Sequence, residues 1–383
     1  MSTRPANSTT AIHAGELEPR IEGAVGTPIF QSSTYEYHGE EYHQTRYMRL
    51  STSPNHRVLA ARIASLEGTE TALATGSGMA AISAALLTVL STGDHILVQD
   101  CLYGGTTGLL THELARLGIT HTQIDPQDPS SWAALLEPTT RAIYVESLTN
   151  PLVQMADVEA VVAFAREHGL ISLIDNTFAN PVNFRPAELG FDLVMESCTK
   201  FMNGHTDIVA GSVAGSDEMV GKVKRTLDHL GGVLDTHTCF LFERGLKTLP
   251  LRMREHNKNG MAVARFLEAH PAVGWVRYPG LESHPQLERA RRLLEGFSGM
   301  VAFEVKGGVP AADAFLSRLK IPAVAVSLGG AESLIIRPAV AIHGDLPPEE
   351  RARSGITDGL IRFSVGLEDA DDLLADLEQA LAG

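Results

Sequence analysis

Met195-Glu-Ser-Cys-Thr-Lys200-Phe-Met-Asn-Gly-His-Thr-Asp207 follows a short apolar run, Phe191-Asp-Leu-Val-Met195, and so puts a lysine just past the end of a predicted strand. An earlier apolar run, Leu170-Ile-Ser-Leu-Ile174, ends in Asp175. Strand, helix and strand at this spacing predict right-handed βαβ units and a mainly parallel sheet. Ligands of such sheets bind beyond the carboxyl ends of the strands. A lone lysine is ordinarily a solvated surface charge. Here the short hydroxyls of Ser197 and Thr199 flank it, and they suit phosphate oxygens. An amine and a carboxylate at strand ends fit one chemistry well. Lys200 would link covalently to the aldehyde of pyridoxal 5'-phosphate (PLP), while Asp175 keeps the pyridine nitrogen protonated and the ring acts as an electron sink.

Working outward, Val58–Glu67 reads as a helix, and Met79–Leu90 as a second one, apolar nearly all round and therefore buried. His95–Gln99 is a strand after the Gly93-Asp94 turn, Leu109–Leu117 a helix, and Arg141–Glu146 a strand. Val158–His168 is an amphipathic helix closed by Gly169, and Leu193–Met195 a further strand. Asp100, Glu146, Asp175 and Ser197 then all fall at carboxyl ends of strands. Past a hinge candidate at Gly231-Gly232, helices over Phe240–Leu249 and Asn257–Ala269, strands over Met300–Val305 and Leu360–Ser364, and a helix over Asp369–Leu381 predict a smaller α/β domain. Residues 1–45 are polar, rich in Thr, Ser and Gly, and read as an extended arm. The expected division is an arm over 1–55 that contacts a neighbouring subunit, a large cofactor-binding domain over 56–232 and a C-terminal domain over 233–383.

Length and charge bound the function. A chain of 383 residues is too long for one small core. Its net charge of −15, from 31 basic and 46 acidic residues, argues against nucleic acid and anionic membrane surfaces as partners. Cys101, Cys198 and Cys239 form no metal-ligand spacing, and their odd, low number fits a reducing cytoplasm. No bound metal is expected. The N-terminal residues lack the apolar core of a signal peptide, and the apolar stretch around Met79–Leu90 is too short to span a bilayer.

Three further motifs bear on the site. Thr75-Gly-Ser-Gly-Met79 precedes the buried helix; glycines there let the backbone approach an anion, and a helix start offers free N–H groups. The Gly78 and Met79 amides and the Ser77 hydroxyl are assigned to the phosphate, although a Gly-Ser-Gly turn alone is equally a simple helix entry. No Gly-Lys-Ser/Thr follows, so this is not a Walker loop. Tyr103, in Asp100-Cys-Leu-Tyr-Gly-Gly-Thr-Thr107, is placed to stack on a planar ring or donate a proton near it. Tyr47-Met-Arg49 supplies a guanidinium suited to phosphate.

Taken together, these segments resemble the transsulfuration family of PLP enzymes (cystathionine γ-synthase, cystathionine γ-lyase, methionine γ-lyase), from Ala11-Ile-His-Ala-Gly15 to Ile361-Arg-Phe-Ser-Val-Gly-Leu-Glu368. The resemblance implies a fold-type I, aminotransferase-like α/β subunit and a homotetramer built from dimers that share active sites. It makes Lys200 the cofactor-bearing lysine, Asp175 the pyridinium partner and Tyr103 the stacking ring. Gly78, Met79, Ser197 and Thr199 would hold the phosphate, and Tyr47 and Arg49 would reach the neighbouring subunit's phosphate. Asn150 matches the asparagine near the ring oxygen, and Arg362, with Ser327 beside it, the clamp on the substrate carboxylate. The chain departs from the pattern at Leu50-Ser-Thr-Ser-Pro-Asn55, at Cys198 and at Phe201.

The substrate is a small amino acid. Val326 stands where cystathionine-processing members typically carry Glu, and resembles the methionine-cleaving members; Gly105 stands where those members often carry cysteine. The expected activity is a carbon–sulfur lyase acting by elimination on methionine, homocysteine or a cystathionine-like substrate. The alternatives are γ-replacement on an O-acyl-homoserine and, more remotely, a PLP-binding regulator without catalysis.

Overall fold

A computed structural model describes residues 6–39, 45–342, 344, 349, 351 and 355–382. Seven strands form the larger sheet: β1 Thr71–Thr75, β2 His95–Gln99, β3 Thr120–Ile124, β4 Thr140–Glu146, β5 Ile171–Asp175, β6 Leu193–Glu196 and β7 Gly211–Gly215. Their spatial order is β1-β7-β6-β5-β4-β2-β3. All pairs from β3 across to β6 are parallel, and only β7 runs antiparallel to its neighbours. The mainly parallel sheet read from the sequence is therefore present.

The central strands are buried on both faces, as a sheet covered on both sides requires. Helices Gly78–Val89 and Asp217–Leu230 cover one face. Helices Pro54–Glu67, Val158–His168 and Thr236–Leu246 cover the other. Local chemistry sets their ends. Asp157 accepts from the Ala160 amide at 3.1 Å to open one helix, and Gly169 closes it with a left-handed φ of 64°.

The second sheet contains β8 Val273–Arg277, β9 Met300–Val305, β10 Ala323–Val324, β11 Leu334–Ile336 and β12 Leu360–Ser364, in the order β10-β11-β12-β9-β8. It is antiparallel except for β10 with β11. Met253, Met300, Ala302 and Leu360 pack in the same apolar cluster as the larger sheet's core, so the two sheets are joined by buried contacts rather than by a linker alone. The fold is the α/β, fold-type I architecture expected.

The structure corrects several local expectations. The arm is not wholly extended, because Asn7–His13 is a short helix. The segments read as helices over Phe240–Leu249 and Asn257–Ala269 are helices Thr236–Leu246 and Leu249–Ala269, broken at Lys247-Thr248, where Pro250 in the first turn starts the second helix. The polar run Arg252–Lys258 hid that helix's continuity. Two of those side chains bond inward instead: Arg252 to the carbonyls of Phe201 and Met202, and His256 Nδ1 with the Val365 carbonyl. Leu109–Leu114 is a π-helical turn rather than α-helix. Strands β1, β3, β7, β8, β10 and β11 were not foreseen. In β7 the small residues serve close approach: a Cβ on Gly211 would stand 2.2 Å from the Ser77 carbonyl oxygen. Gly231-Gly232 is a packed corner, since the Gly232 carbonyl accepts from the Gly76 amide at 2.7 Å.

Candidate active site

At the carboxyl ends of β4, β5 and β6 lies a cavity of about 340 Å³. Ser77, Gly78, Met79, Tyr103, Asn150, Asp175, Ser197, Thr199, Lys200, Val326, Ser327 and Arg362 all line it. They come from both sheets and from segments more than two hundred residues apart in the chain.

Lys200 sits on a tight turn after β6. Its amide donates to the Ser197 carbonyl at 3.0 Å, and its own carbonyl accepts from Gly204 at 2.8 Å. Arg252, buried on the helix behind, donates to the carbonyls of the next two residues at 2.7 and 3.1 Å and so fixes the turn. The Lys200 Nζ donates to Ser327 Oγ at 2.7 Å. Burial, helped by the positive charge of Arg362, brings its amine down to about 8 from the ordinary 10.5. That favours the neutral, nucleophilic form far more than on a surface lysine.

Asp175 ends β5, buried, with Oδ1 accepting from the Thr177 amide at 2.9 Å and the Thr177 hydroxyl at 2.5 Å. Burial pushes its carboxyl up, and these two bonds oppose that rise. A cation placed against it would restore the charged form. Next to it in register on β4 is Glu146, also buried.

One side of the cavity is a backbone cradle suited to an anion. Ser77 caps helix Gly78–Val89, its Oγ accepting from the Ala80 amide at 3.0 Å. The amides of Gly78 and Met79 are the first of the helix and have no intrahelical acceptor. A Cβ on Gly78 would stand 2.7 Å from the Ser197 Cβ, so only glycine lets the helix start and the Ser197 hydroxyl meet there. Thr199 also lines the space, but its hydroxyl donates to the Ala210 carbonyl at 3.1 Å and accepts from that residue's amide at 3.0 Å.

Opposite the cradle, Arg362 reaches in from β12. Its Nη1 donates to Asn150 Oδ1 at 3.0 Å and its Nη2 to the Ser327 carbonyl at 2.8 Å. Its Nε is buried without an acceptor among the described residues. These partners are an amide and a carbonyl, so among the described residues the guanidinium is a desolvated charge with no carboxylate bonded to it, and burial lowers it to about 10. Such a group suits an anionic ligand. Ser327 holds a left-handed φ of 82°, an uncommon conformation for a residue with a side chain, and thereby offers its hydroxyl to Lys200 and its carbonyl to Arg362.

The Tyr103 ring lies over Gly105, where a Cβ would come within 2.6 Å of Tyr103 Cε1 and 3.1 Å of Met79 Sδ. Val326 stands at the rim, 60% exposed. Tyr47 and Arg49 are not part of this cavity. Arg49 Nη1 donates to the Asp228 carbonyl at 2.6 Å, and its guanidinium lies 5.6 Å from the centre of the Tyr47 ring.

Sequence reasoning passed over several contributors. Glu146 was noted only as a strand end. Thr177, two residues past Asp175, carries a recognisable turn signal, a hydroxyl placed to bond the preceding carboxylate. The apolar liners Ile82, Leu148, Phe178, Val209 and Ile342 carry none, since they look like any core residue.

The donor set fits PLP. It has amides and a hydroxyl around a space only glycine leaves open, a buried carboxylate, a buried amine of lowered basicity and a carboxylate-free guanidinium. Comparison with known proteins agrees. The chain is 44% identical to the L-methionine γ-lyase of Pseudomonas putida over 98% of its own length and 97% of the relative's. It is 41% identical to the cystathionine γ-lyase of Bacillus subtilis, covering 97% and 98%. The solved structure of cystathionine γ-lyase from Lactobacillus plantarum complexed with L-serine superposes with a TM-score of 0.94 at 38% identity, covering 99% of each chain. The family described as Cys/Met metabolism PLP-dependent enzyme matches residues 8–382, and this chain belongs to it.

Proposed function

We propose that this protein is a PLP-dependent carbon–sulfur lyase that eliminates a thiol from a sulfur amino acid, leaving a 2-oxo acid and ammonia. The observation that carries the reading is the shared cavity of Lys200, Asp175 and the carboxylate-free Arg362. Relatives named methionine γ-lyase and cystathionine γ-lyase support it.

Bound PLP supplies the electron sink for charge developing at the substrate's α-carbon. The Gly78 and Met79 amides and the Ser197 hydroxyl would hold the phosphate, with Thr199 beside them. Asp175 keeps a proton on the pyridine nitrogen. Lys200 would hold the cofactor's aldehyde, and its Nζ, freed when substrate is bound, would take the substrate's α-proton. Arg362 binds the substrate carboxylate, oriented by Asn150 and Ser327. Tyr103 would lie against the ring and hand a proton to the departing sulfur.

At the rim, Val326, Val209 and Ile342 offer apolar surface, which favours an uncharged thioether tail such as that of methionine. Tyr47 and Arg49 complete the phosphate site of a second copy, across an interface made by the arm over residues 1–55. In support, they lie outside their own chain's cavity, and Val25 and Tyr37 of the arm are 73% and 67% exposed. The assembly on this reading is a tetramer of such dimers.

A substrate panel tests the activity. Purified protein loaded with PLP should release 2-oxo acid and ammonia from methionine without added thiol. Thioether or homocysteine formed from an O-acyl-homoserine only when thiol is added would replace this reading with γ-replacement.

A further inference from the structure

The carboxyl of Glu146 points into the same region from the end of β4 and is buried. Its Oε1 accepts from the Tyr103 amide at 2.5 Å, and its Oε2 from the Asn150 amide at 3.1 Å. Tyr103 belongs to the turn after β2 and Asn150 to the turn after β4, so one side chain ties two separate loops. Its own amide donates to Gln99 Oε1 at 3.0 Å, and Gln99 Nε2 donates to the Cys101 carbonyl at 2.7 Å, which fixes the base of the first loop. Past Asn150 the chain of bonds continues through Asn150 Oδ1 to Arg362 Nη1.

We propose that Glu146 is a positioning residue that sets the stacking ring of Tyr103 and the carboxylate-binding Arg362 relative to each other through its two oxygens. This rests on the roles given to Tyr103 and Arg362 above. Burial, with Asp175 beside it, pushes the Glu146 carboxyl up to about 8, and its bonds from the Tyr103 and Asn150 amides oppose that rise; as a carboxylate it accepts on both oxygens, whereas an amide of the same shape accepts on one and presents donors on the other, facing a backbone N–H that then has no partner. Glu146 moves no proton of the reaction and touches no reacting atom. It fixes where the ring lies against the guanidinium, and hence how well a substrate held at its α-carboxylate meets the cofactor's plane.

Glu146→Gln tests this in the full chain loaded with PLP. Two readouts separate positioning from a general structural defect. The first is the ratio of dissociation constants for methionine and for 3-(methylthio)propylamine, which lacks the α-carboxylate. The second is the visible circular dichroism of the bound cofactor, which reports the ring's surroundings. The expected result is a retained far-ultraviolet spectrum, about tenfold or greater weakening of methionine with much less for the amine, and an altered visible band. Equal weakening of both ligands, or an unaltered ratio and band, overturns the proposal. Should Glu146→Gln fail to fold, Glu146→Asp keeps the charge, shortens its reach and gives the same two readouts. Failure of the unmodified protein to take PLP at Lys200, seen by borohydride trapping, would instead sink the cofactor assignment.

Discussion

The cradle and the arm, the two regions proposed to meet the cofactor's phosphate, are built in opposite ways. Around Gly78, Ser197, Asp175 and Lys200 one chain brings its groups together on rigid strand and helix ends, with a glycine kept free of side-chain atoms where the helix start meets Ser197. The arm's Tyr47 and Arg49 hold each other and the Asp228 carbonyl, away from that cavity. The cradle is preorganised by a single fold, whereas on the reading proposed above the arm's groups act against another copy. Preorganised groups lose little freedom on binding. Groups supplied from outside make the site depend on assembly.

Experiments on each half sharpen this contrast. Lys200→Ala should have the largest effect, lowering turnover by about a thousandfold or more, since loss of a base alone is worth about 10²–10⁴. Residual turnover near the wild-type rate would remove Lys200 from the mechanism. The same amine gives a pH signature. Capture of PLP by cofactor-free protein needs neutral Nζ, so its rate should rise with pH and level off above about 8. A rate still climbing at pH 10 would mean an ordinary, solvated lysine.

Gly78→Ala should come next. Its methyl group would crowd the Ser197 Cβ at 2.7 Å. Overpacking of this kind costs about 1–3 kcal/mol, and PLP affinity should fall by about tenfold or more. Thermal melting with and without PLP checks both, and an unaltered affinity would show that the phosphate lies elsewhere.

Arg49→Ala should have the smallest effect, about a tenfold loss of PLP affinity for one charge-assisted contact. Its sharper readout is complementation. Co-refolded Arg49→Ala and Lys200→Ala chains should regain activity, because one site in each mixed dimer then has an intact lysine and a neighbour's intact arginine. No recovery would place Arg49's influence within its own chain.

What was legible follows the same division. Lys200, Asp175 and Tyr103 could be found because reactive side chains sit at or just past strand ends where structure alone gives them no purpose, whereas Arg362, inside β12, was reached only through the family resemblance. The β4, β5 and β6 runs were plain because buried parallel strands are continuous apolar stretches. β7 was not, because Gly-Ser-Val-Ala-Gly is chosen for close approach to the Ser77 carbonyl and not for strand propensity. Helix Leu249–Ala269 was cut short in the sequence reading because its polar residues bond inward, which periodicity takes for exposure. Glu146 and Thr177 act through backbone amides whose positions exist only once the chain has folded.

Arg62 carries a last consequence. Fully buried, it donates from Nε to the Ala14 carbonyl at 2.9 Å and from Nη1 to Glu243 at 3.2 Å, while Thr27 donates to that same glutamate. The arm from Asn7 to Thr27 is thus a seal over an internal ion pair, besides the contact with a neighbour proposed above. Trimming the arm would wet that pair and loosen helices Pro54–Glu67 and Thr236–Leu246 beneath it. An inactive truncated protein would therefore say nothing about subunit contact until its melting temperature had been compared with that of the intact chain.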